Sequence, residues 1–474
     1  MAVDEIVKPN IGNLIESLRN VGYSFEVAAA DLIDNSIAAG ASSVKIHFAP
    51  KPELAFSLLD NGMGMTEGEL IDAMRFASKG PADPRSKDDL GRFGLGLKMS
   101  SFSQCKRLTV VSKKKGIIAA RQWDLEFMTA KNDWLLITPS DYNNLPLADQ
   151  LEGQESGTIV CWEKIDRTKS DDLAAVIDRL RRHLSLVFHR YLEGTAEKKR
   201  KFKISINGNS LTPFDPFNLN HPATQQISPE KIIFHNEPIL VQPYILPHHS
   251  KLSREEYDRY ATEEGYLRSQ GFYLYRHHRI LTYGTWWGLH KSSDAHKLVR
   301  IKVDISAAND VEWGLDIKKS TARPPEAIRP ELKRIIATAA EAGSRPYTGR
   351  GRKIEDKTTT QFWQLIPNND EIRFAVNQEH PLYKDLMKNL DLGAAEKLTF
   401  YLKGLQAYLP LEAIQSHLQR HPHAVKQQDA LTEKDVLDLT HKLKSAGLTE
   451  QFIRELLKTE IFAARQELLT DGNQ

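Results

Sequence analysis

Apolar and polar positions follow a helical period in one stretch near the start of the chain. Between positions 25 and 39, apolar residues recur every three or four positions: Val27, Ala30, Ile33 and Ile37. Asp31 and Asn35, four residues apart, share the other side of this helix. The pattern predicts one packed face and one face that presents a carboxylate beside an amide, although an ordinary surface helix has the same pattern.

A second pattern is an apolar run of strand length, residues 54–59, that stops at Asp60 and continues as Asn-Gly-Met-Gly. A carboxylate at a strand end can accept a hydrogen bond from an exocyclic amine such as that of adenine. Gly62 and Gly64 allow the backbone to approach a flat ring closely. Thr66 and Glu69 predict a capping box at the start of the next helix. A plain strand-turn-helix connection explains the same residues.

A third pattern is glycine-rich and runs from Gly91 through Gly94 to Gly96, before a helical segment at residues 99–103. Bare amides in a glycine loop that opens onto a helix make a phosphate cradle. The segment differs from the dinucleotide fingerprint because it follows a polar stretch, residues 79–89, and not an apolar strand. Residues 78–90 have the composition of a mobile lid.

Asp31 and Asn35, on the helix predicted at 25–39, suit one kind of chemistry. Mg²⁺ prefers oxygen ligands and keeps several waters, so a carboxylate one turn from an amide oxygen suits water activation beside a hydrated magnesium ion. Asp31 is the candidate general base, and Asn35 is the candidate Mg²⁺ ligand.

Taken together, the three stretches resemble the GHKL ATPase superfamily, which includes gyrase B, MutL, the ninety-kilodalton heat-shock chaperones, histidine kinases and the MORC proteins. The resemblance implies an α+β fold with a Bergerat-type α/β sandwich that binds ATP and Mg²⁺. Thr158, which follows Gly157, matches a fourth family element that supports the adenine-side aspartate; strand packing is the alternative role for Thr158. The implied nucleotide contacts are Asn35, Asp60, Gly62, Gly64, Met65, Lys79, Gly91, Arg92, Phe93, Gly94, Leu95, Gly96, Leu97, Lys98 and Thr158.

Position 31 departs from the family pattern, in which the acid is usually glutamate. The shorter aspartate places its carboxylate about an ångström farther from the water, and a displacement of that size slows chemistry. We therefore expect slow hydrolysis, with Asp34 as the next candidate if Asp31 is not the base.

The position of the pocket near the start of the sequence argues against a sensor histidine kinase and favours the GHL type, in which a second α/β domain reaches back to the nucleotide. Residues 271–281 alternate as a strand, turn at His-His and resemble the MORC transducer. The alternative is an edge strand with Arg276 and Arg279 facing water. Lys318 and Lys319 occupy the place where GHL proteins carry a γ-phosphate lysine; we favour Lys319, and a solvated lysine pair is the alternative.

The patterning predicts three regions: an ATP-binding domain at 1–215, a transducer-like domain at 216–345 and a linker with a mostly helical region at 346–474. Residues 170–192 predict a long amphipathic helix at the end of the first region. Residues 299–305 alternate as a half-buried strand within the second.

Composition adds limits to this interpretation. With 474 residues, 41% of them hydrophobic and 27% charged, the chain suits a soluble protein of two or three domains. Cys105 and Cys161 are its two cysteines, so we expect neither a disulfide framework nor a zinc site. The first residues lack signal-peptide character, which with the cysteine usage predicts a cytoplasmic location.

A net charge of +2 gives no global attraction to an anionic partner. Two local basic runs, residues 198–203 and 345–353, can bind nucleic-acid phosphates, although such runs are often only solvated surface. The resemblance implies an ATP-dependent homodimer that closes as a clamp, and the basic runs favour DNA as the client. One alternative is an ATP-gated chaperone or signalling protein with a protein client, for which the C-terminal region is the candidate binding region. The other alternative is a receptor that binds ATP and barely hydrolyses it.

Overall fold

The computed structural model of the protein describes residues 9–76, 96–168, 172–195, 201–262, 264–315, 321–351, 359–368, 371–420 and 424–470. These residues form two compact units. The first comprises the described residues within 1–246, 263–292 and 299–339, and the second comprises those within 247–262, 293–298 and 340–474. Both helices and sheets occur in each unit, so the fold is α+β as predicted. The predicted division into three regions stays a prediction.

The first unit contains a seven-stranded sheet with the strand order β4-β3-β5-β2-β1-β6-β7. Strands β1 and β6 pair in parallel, and the other neighbours are antiparallel. The strands are β1 Ser43–Ala49, β2 Ala55–Asp60, β3 Cys105–Lys114, β4 Ile117–Asp124, β5 Gly157–Ile165, β6 Lys203–Ile206 and β7 Asn209–Ser210.

Helices cover this sheet because its strands are apolar on both faces. Leu58 belongs to a large core shared with the helices, and its neighbour Leu59 belongs to a small cluster on the other side with Leu151. The helices are α1 Ile11–Arg19, α2 Phe25–Ala38, α3 Glu67–Met74, α4 Gly96–Phe102, α5 Leu125–Lys131, α6 Ala148–Glu152, α7 Leu173–Val187 and α8 His189–Glu193.

Helix α2 begins where the sequence predicts it. The Ser24 hydroxyl accepts a hydrogen bond from the Val27 amide and caps the helix. Alanines 28–30 and Leu32 are buried and bring α2 close to the sheet. The capping box of Thr66 and Glu69 at α3 is also confirmed.

The long helix predicted at 170–192 is divided in two. Helix α7 ends at Val187, and α8 begins at His189 after Phe188. Leu180 and Leu184 of α7 pack into the core of the first sheet, whereas Leu186 packs with Tyr273 and Tyr275 of a second sheet. Helix α7 therefore joins the two sheets of the first unit.

The second sheet has six strands in the order β12-β11-β13-β10-β8, with β9 paired to β10. Only β11 and β13 pair in parallel. The strands are β8 Gln225–Gln226, β9 Glu230–Phe234, β10 Glu237–Ile245, β11 Gly271–Arg276, β12 Arg279–Thr285 and β13 Val299–Ile305. The helices in this part of the sequence are α9 Arg254–Ala261, α10 Tyr266–Ser269 and α11 Arg329–Gly351. Helix α9 belongs to the second unit, α10 belongs to the first, and α11 begins in the first and ends in the second.

The predicted strands at 271–281 and 299–305 are confirmed, and the turn between β11 and β12 lies at His277 and His278 as expected. Both histidines have positive φ angles, 46° and 67°. One detail differs from the alternation. Arg300, expected on the open side of β13, is fully buried, and its guanidinium donates to the Pro216 carbonyl.

The second unit is mostly helical, as predicted, but it also contains a hairpin that the sequence analysis did not identify. The core of the second unit includes Val436, Leu456 and Phe462. Its further elements are β14 Trp363–Asn368, β15 Glu371–Val376, α12 Pro381–Lys388, α13 Leu392–Ala407, α14 Leu411–Arg420, α15 Glu433–Ser445, α16 Glu450–Leu456 and α17 Glu467–Thr470. No helix in the described ranges is long and apolar enough to cross a membrane.

Candidate nucleotide site

Asp60 is the last residue of β2, and its carboxylate is almost completely enclosed, with 5% of the residue exposed. The Ser36 hydroxyl donates to Asp60 Oδ2 at 3.0 Å, and the Gly62 amide donates to Oδ1 at 2.8 Å. Burial raises the pKa of Asp60, and the hydrogen bonds from Gly62, Ser36 and the Thr158 backbone oppose that rise. The carboxylate is thus held in one orientation, and its oxygens have capacity for a further donor.

Thr158 lies beside Asp60 because the two residues are register partners on β5 and β2. The Thr158 hydroxyl is 2.8 Å from the hydroxyl of Ser112 on β3, which also accepts a hydrogen bond from the Met65 amide at 2.8 Å. Three neighbouring strands and the turn after β2 therefore share one hydrogen-bond network.

Two serines of this network, Ser36 and Ser112, were missed by the sequence analysis. Ser36 follows the proposed Mg²⁺ ligand directly, and Ser112 comes directly after Val110 and Val111. A buried serine hydroxyl needs a hydrogen-bond partner. A serine in a segment that is predicted to be buried is therefore the signal in the sequence that could have indicated this network.

The glycines have a structural requirement beyond access for a ring. A Cβ atom on Gly64, where φ is +64°, would lie 1.9 Å from the Lys113 carbonyl oxygen. A Cβ on Gly157 would lie 2.3 Å from the Asp60 carbonyl oxygen. The turn after β2 therefore packs directly on the backbones of the neighbouring strands, which only glycine permits.

At the other end of the site, Asp31 and Asp34 lie on the buried side of α2, with 2% and 1% exposure. Arg279, at the start of β12, contacts both: its Nη2 is 3.6 Å from Asp31 Oδ1, and its Nη1 is 2.7 Å from Asp34 Oδ2. The Tyr23 hydroxyl donates to Asp31 Oδ2 at 3.1 Å. Asn35, by contrast, is exposed.

This arrangement changes two expectations. Asp31 and Asn35 were expected to share one open side of α2, whereas the structure encloses Asp31 and exposes Asn35. Arg276 and Arg279 were given the alternative of facing water from an edge strand. Both are buried, and Arg276 instead donates to Asp310 at 2.7 Å. The roles of Asp31 and Asn35 stay predictions.

The glycine-rich stretch is described only from Gly96, where α4 begins; Leu97 and Lys98 follow in this helix. Lys98 Nζ donates to the Ala73 carbonyl at 2.9 Å, and burial lowers the pKa of Lys98 to about 8. The predicted contacts that lie outside the described residues are Lys79, Gly91, Arg92, Phe93, Gly94 and Leu95, together with both candidate γ-phosphate lysines, Lys318 and Lys319.

In the part of the chain that the structure describes, no group of three histidine, cysteine, aspartate or glutamate side chains could hold a metal ion. Both cysteines are buried as free thiols. A magnesium ion bound with few protein ligands, as Asn35 alone would provide, remains compatible with this donor set because Mg²⁺ keeps several waters and shares phosphate oxygens.

Comparison with known proteins agrees with this geometry. Residues 23–158 match the family described as histidine kinase-, DNA gyrase B- and HSP90-like ATPase. The match includes Asp31, Asn35, Asp60 and Thr158. This part of the chain is therefore similar to the ATPase domains of that family, and the α+β fold of the structure agrees with the similarity.

More particular similarity is to MORC proteins. The chain is 35% identical over 94 residues to ATPase morc-1 of Caenorhabditis elegans. This matching segment is 20% of this chain and 11% of the relative. It is 33% identical over 96 residues to ATPase MORC2B of Mus musculus, which covers 19% of this chain and 9% of the relative. The chain thus matches about a tenth of the length of each of these relatives.

Proposed function

We propose that the protein binds ATP with Mg²⁺ in the site at the end of β2, hydrolyses it slowly, and dimerises on binding ATP as a clamp that acts on DNA. The observation that carries this proposal is the enclosed carboxylate of Asp60, held by Ser36 and Gly62 inside the region that matches the ATPase family.

The adenine end follows from hydrogen-bond capacity. A carboxylate that already accepts from Ser36 and Gly62 still has lone pairs for an exocyclic amine. Desolvation makes such a bond stronger than the same bond in water, because the local dielectric constant is low. Asp60 would therefore recognise a purine with an amino group, as adenine has, and would reject one with a carbonyl in that place.

The hydrolytic end uses Asp31 as the base that takes a proton from the attacking water, and Asn35 as a ligand of Mg²⁺. When bound, Mg²⁺ would neutralise charge on the phosphates. Asn35 has the exposure that a metal ligand requires. Asp31 is short and already contacts Tyr23 and Arg279, which supports the expectation of slow turnover.

The terminal phosphate would be contacted by Lys319, or by Lys318, from the region after β13. A cation there stabilises charge that develops in transfer and distinguishes ATP from ADP. Loss of turnover with retained nucleotide binding in Lys319→Ala would support this role, and wild-type turnover in the Lys318, Lys319 double alanine would contradict it.

A protein client is the second candidate. Helix α13 of the second unit exposes large apolar side chains, among them Phe400 and Tyr401, whose exposed fractions are 80% and 64%. Tyr408, directly after the helix, is 87% exposed. Exposed apolar patches of this kind commonly mark surfaces for protein partners. A chaperone-like or signalling role is therefore the alternative to DNA.

One experiment tests the proposal and separates these clients. ATP turnover and particle size of the purified chain are measured with ATP or a non-hydrolysable analogue, with and without plasmid DNA, over a range of salt concentrations. We expect analogue-dependent dimerisation and salt-sensitive stimulation by DNA. A persistent monomer would contradict the clamp, and a flat response to DNA and salt would favour a protein client.

The same assay tests the base. In Asp31→Asn the side chain keeps its size and loses its basicity, so we expect turnover to fall at least about a hundredfold. The matched control is Asp178→Asn, which makes the same change at an exposed carboxylate that pairs with Arg182 on the surface of α7. Unchanged hydrolysis in Asp31→Asn would remove Asp31 as the base and make Asp34 the next residue to test.

A further inference from the structure

Arg279 connects the second sheet to α2, the helix that carries Asp31, the proposed general base. It begins β12 directly after the His277-His278 turn, and it is 3% exposed. Its guanidinium lies between Asp31 and Asp34 of α2.

The spacing of the two acids suits a single arginine. Residues three apart lie on the same side of a helix, so both carboxylates face β12. A guanidinium is planar and spreads its positive charge over two terminal nitrogens, so it can form an ion pair with each of two carboxylates in a defined relation. A lysine ammonium is a single point charge and cannot. The shorter distance, 2.7 Å, joins Arg279 to Asp34, so Asp34 anchors the guanidinium that faces Asp31.

The hairpin that carries Arg279 is itself held in place. The Tyr191 hydroxyl of α8 donates to the His277 carbonyl at 2.6 Å. The Arg279 guanidinium carbon lies 5.7 Å from the centre of the Phe188 ring, between α7 and α8. The other strand of the same hairpin offers a matched arginine for comparison: Arg276, the register partner of Arg279, donates to Asp310 instead.

We propose that Arg279 is a positioning residue: anchored by Asp34, it sets the orientation of the Asp31 carboxylate, so that the placement of the second sheet determines how fast the ATP site turns over. This inference rests on the proposed function. Arg279 touches neither the nucleotide nor the attacking water; it acts through Asp31. A displacement of the β11-β12 hairpin of about 1 Å would move the carboxylate by a similar amount, which is enough to change a rate substantially.

The test uses Arg279→Lys in the full chain, because lysine keeps the buried charge and loses the fork. We expect kcat to fall at least about tenfold while KM and ATP affinity stay within about twofold, since the adenine end is untouched. Arg276→Lys is the matched control: it makes the same change in the same hairpin at a residue paired with Asp310, and its kcat should stay within about twofold of wild type.

A second variant covers the anchor. Asp34→Asn removes the charge that holds the guanidinium, and we expect its kcat loss to be non-additive with that of Arg279→Lys, because both changes act on one contact. Thermal unfolding of each variant identifies any that fails to fold. A kcat within twofold of wild type in Arg279→Lys, or an equal loss in Arg276→Lys, would overturn the proposal.

A readout that needs no turnover separates this inference from the proposed function. Hydrogen exchange of α2 amides should accelerate in Arg279→Lys and not in Arg276→Lys, with β2 amides unchanged in both. If wild type binds but does not hydrolyse ATP, the proposed function fails, and this exchange pattern still decides the inference. Unchanged α2 exchange in Arg279→Lys would overturn it whatever the wild-type activity.

Discussion

The two ends of the candidate site are held in different ways. At the adenine end, Asp60 takes its partners from the adjacent helix, the following turn and the neighbouring strand of its own sheet. At the acid end, Asp31 and Asp34 take a charged partner, Arg279, from the second sheet. Under the proposed function, recognition of the base would thus be built within one sheet, whereas the position of Asp31 would depend on how two sheets are placed. Nucleotide affinity and turnover should respond to different substitutions.

The largest expected effect is at the turn of the adenine end. In Gly64→Ala the new Cβ would lie 1.9 Å from the Lys113 carbonyl oxygen at a backbone φ of +64°, so the turn must move. We expect a loss of roughly 2–4 kcal/mol in the free energy of unfolding, measured by denaturant titration.

Its control is Gly116→Ala, which has a similar positive φ of +79° but nothing within 4 Å of the added atom. The cost there should be about 1 kcal/mol, from backbone conformation alone. Equal losses in the two variants would show that close packing of the turn on β3 is unimportant.

The next effect is a pH dependence of stability that comes from His183, a residue of α7. Burial, and then the nearby charge of Arg279, lower the pKa of His183 to about 4 from an ordinary value near 6.5. The unfolded chain binds this proton more readily than the folded one between these values, so stability is lost as the pH falls from about 6.5 towards 4.

We expect His183 to account for a loss on the order of 2–3 kcal/mol over that interval. Unfolding free energies of wild type and His183→Gln, measured between pH 7 and pH 4, isolate this part. Wild type should lose stability relative to the variant as the pH falls. Parallel curves would mean that His183 is not held neutral beside Arg279.

A smaller effect returns to the adenine end. Ser112→Ala removes the hydroxyl that accepts from the Met65 amide and contacts Thr158, which leaves a polar network incomplete. We expect about 1–2 kcal/mol of destabilisation and ATP binding weakened several-fold, with kcat less affected. Ser57→Ala, at another fully buried serine of the same sheet, is the control for removal of a hydroxyl from the core. A fall in kcat with unchanged affinity in Ser112→Ala would contradict the separation of the two ends.

The difference between the ends also explains what the sequence predicts. Asp60 and the capping box of Thr66 follow from local patterns, since a strand end, a turn and a helix start each leave their signal within a few residues. Thr158 was identified only through the family resemblance. Ser36 and Ser112 gave weaker signals, because a serine alone does not reveal whether its hydroxyl is buried. Arg279 could be identified as part of a strand and turn, but its contact with Asp31 depends on the packing of β12 against α2. Periodicity within one segment does not contain that information.

Similar reasons account for the other differences. The division of the predicted helix at Phe188 reflects the need of α7 and α8 to pack on two sheets, which is a tertiary requirement. The β14-β15 hairpin was missed because the segments that follow it are helical and the whole region was assigned their pattern. Arg300 breaks the alternation of β13 because the Pro216 carbonyl and its surroundings accept a buried guanidinium.

The central claim is that Asp60 recognises the base of ATP, and calorimetric titration of ATP into Asp60→Asn tests it most directly. Asparagine keeps the size and presents an amide in place of the charged acceptor. Asp72→Asn, at an exposed carboxylate on α3, is the control. We predict that wild type and Asp72→Asn bind ATP alike and that Asp60→Asn binds at least about a hundredfold more weakly, the effect of losing a charged hydrogen bond in an enclosed site. Equal affinity in wild type and Asp60→Asn would contradict the account.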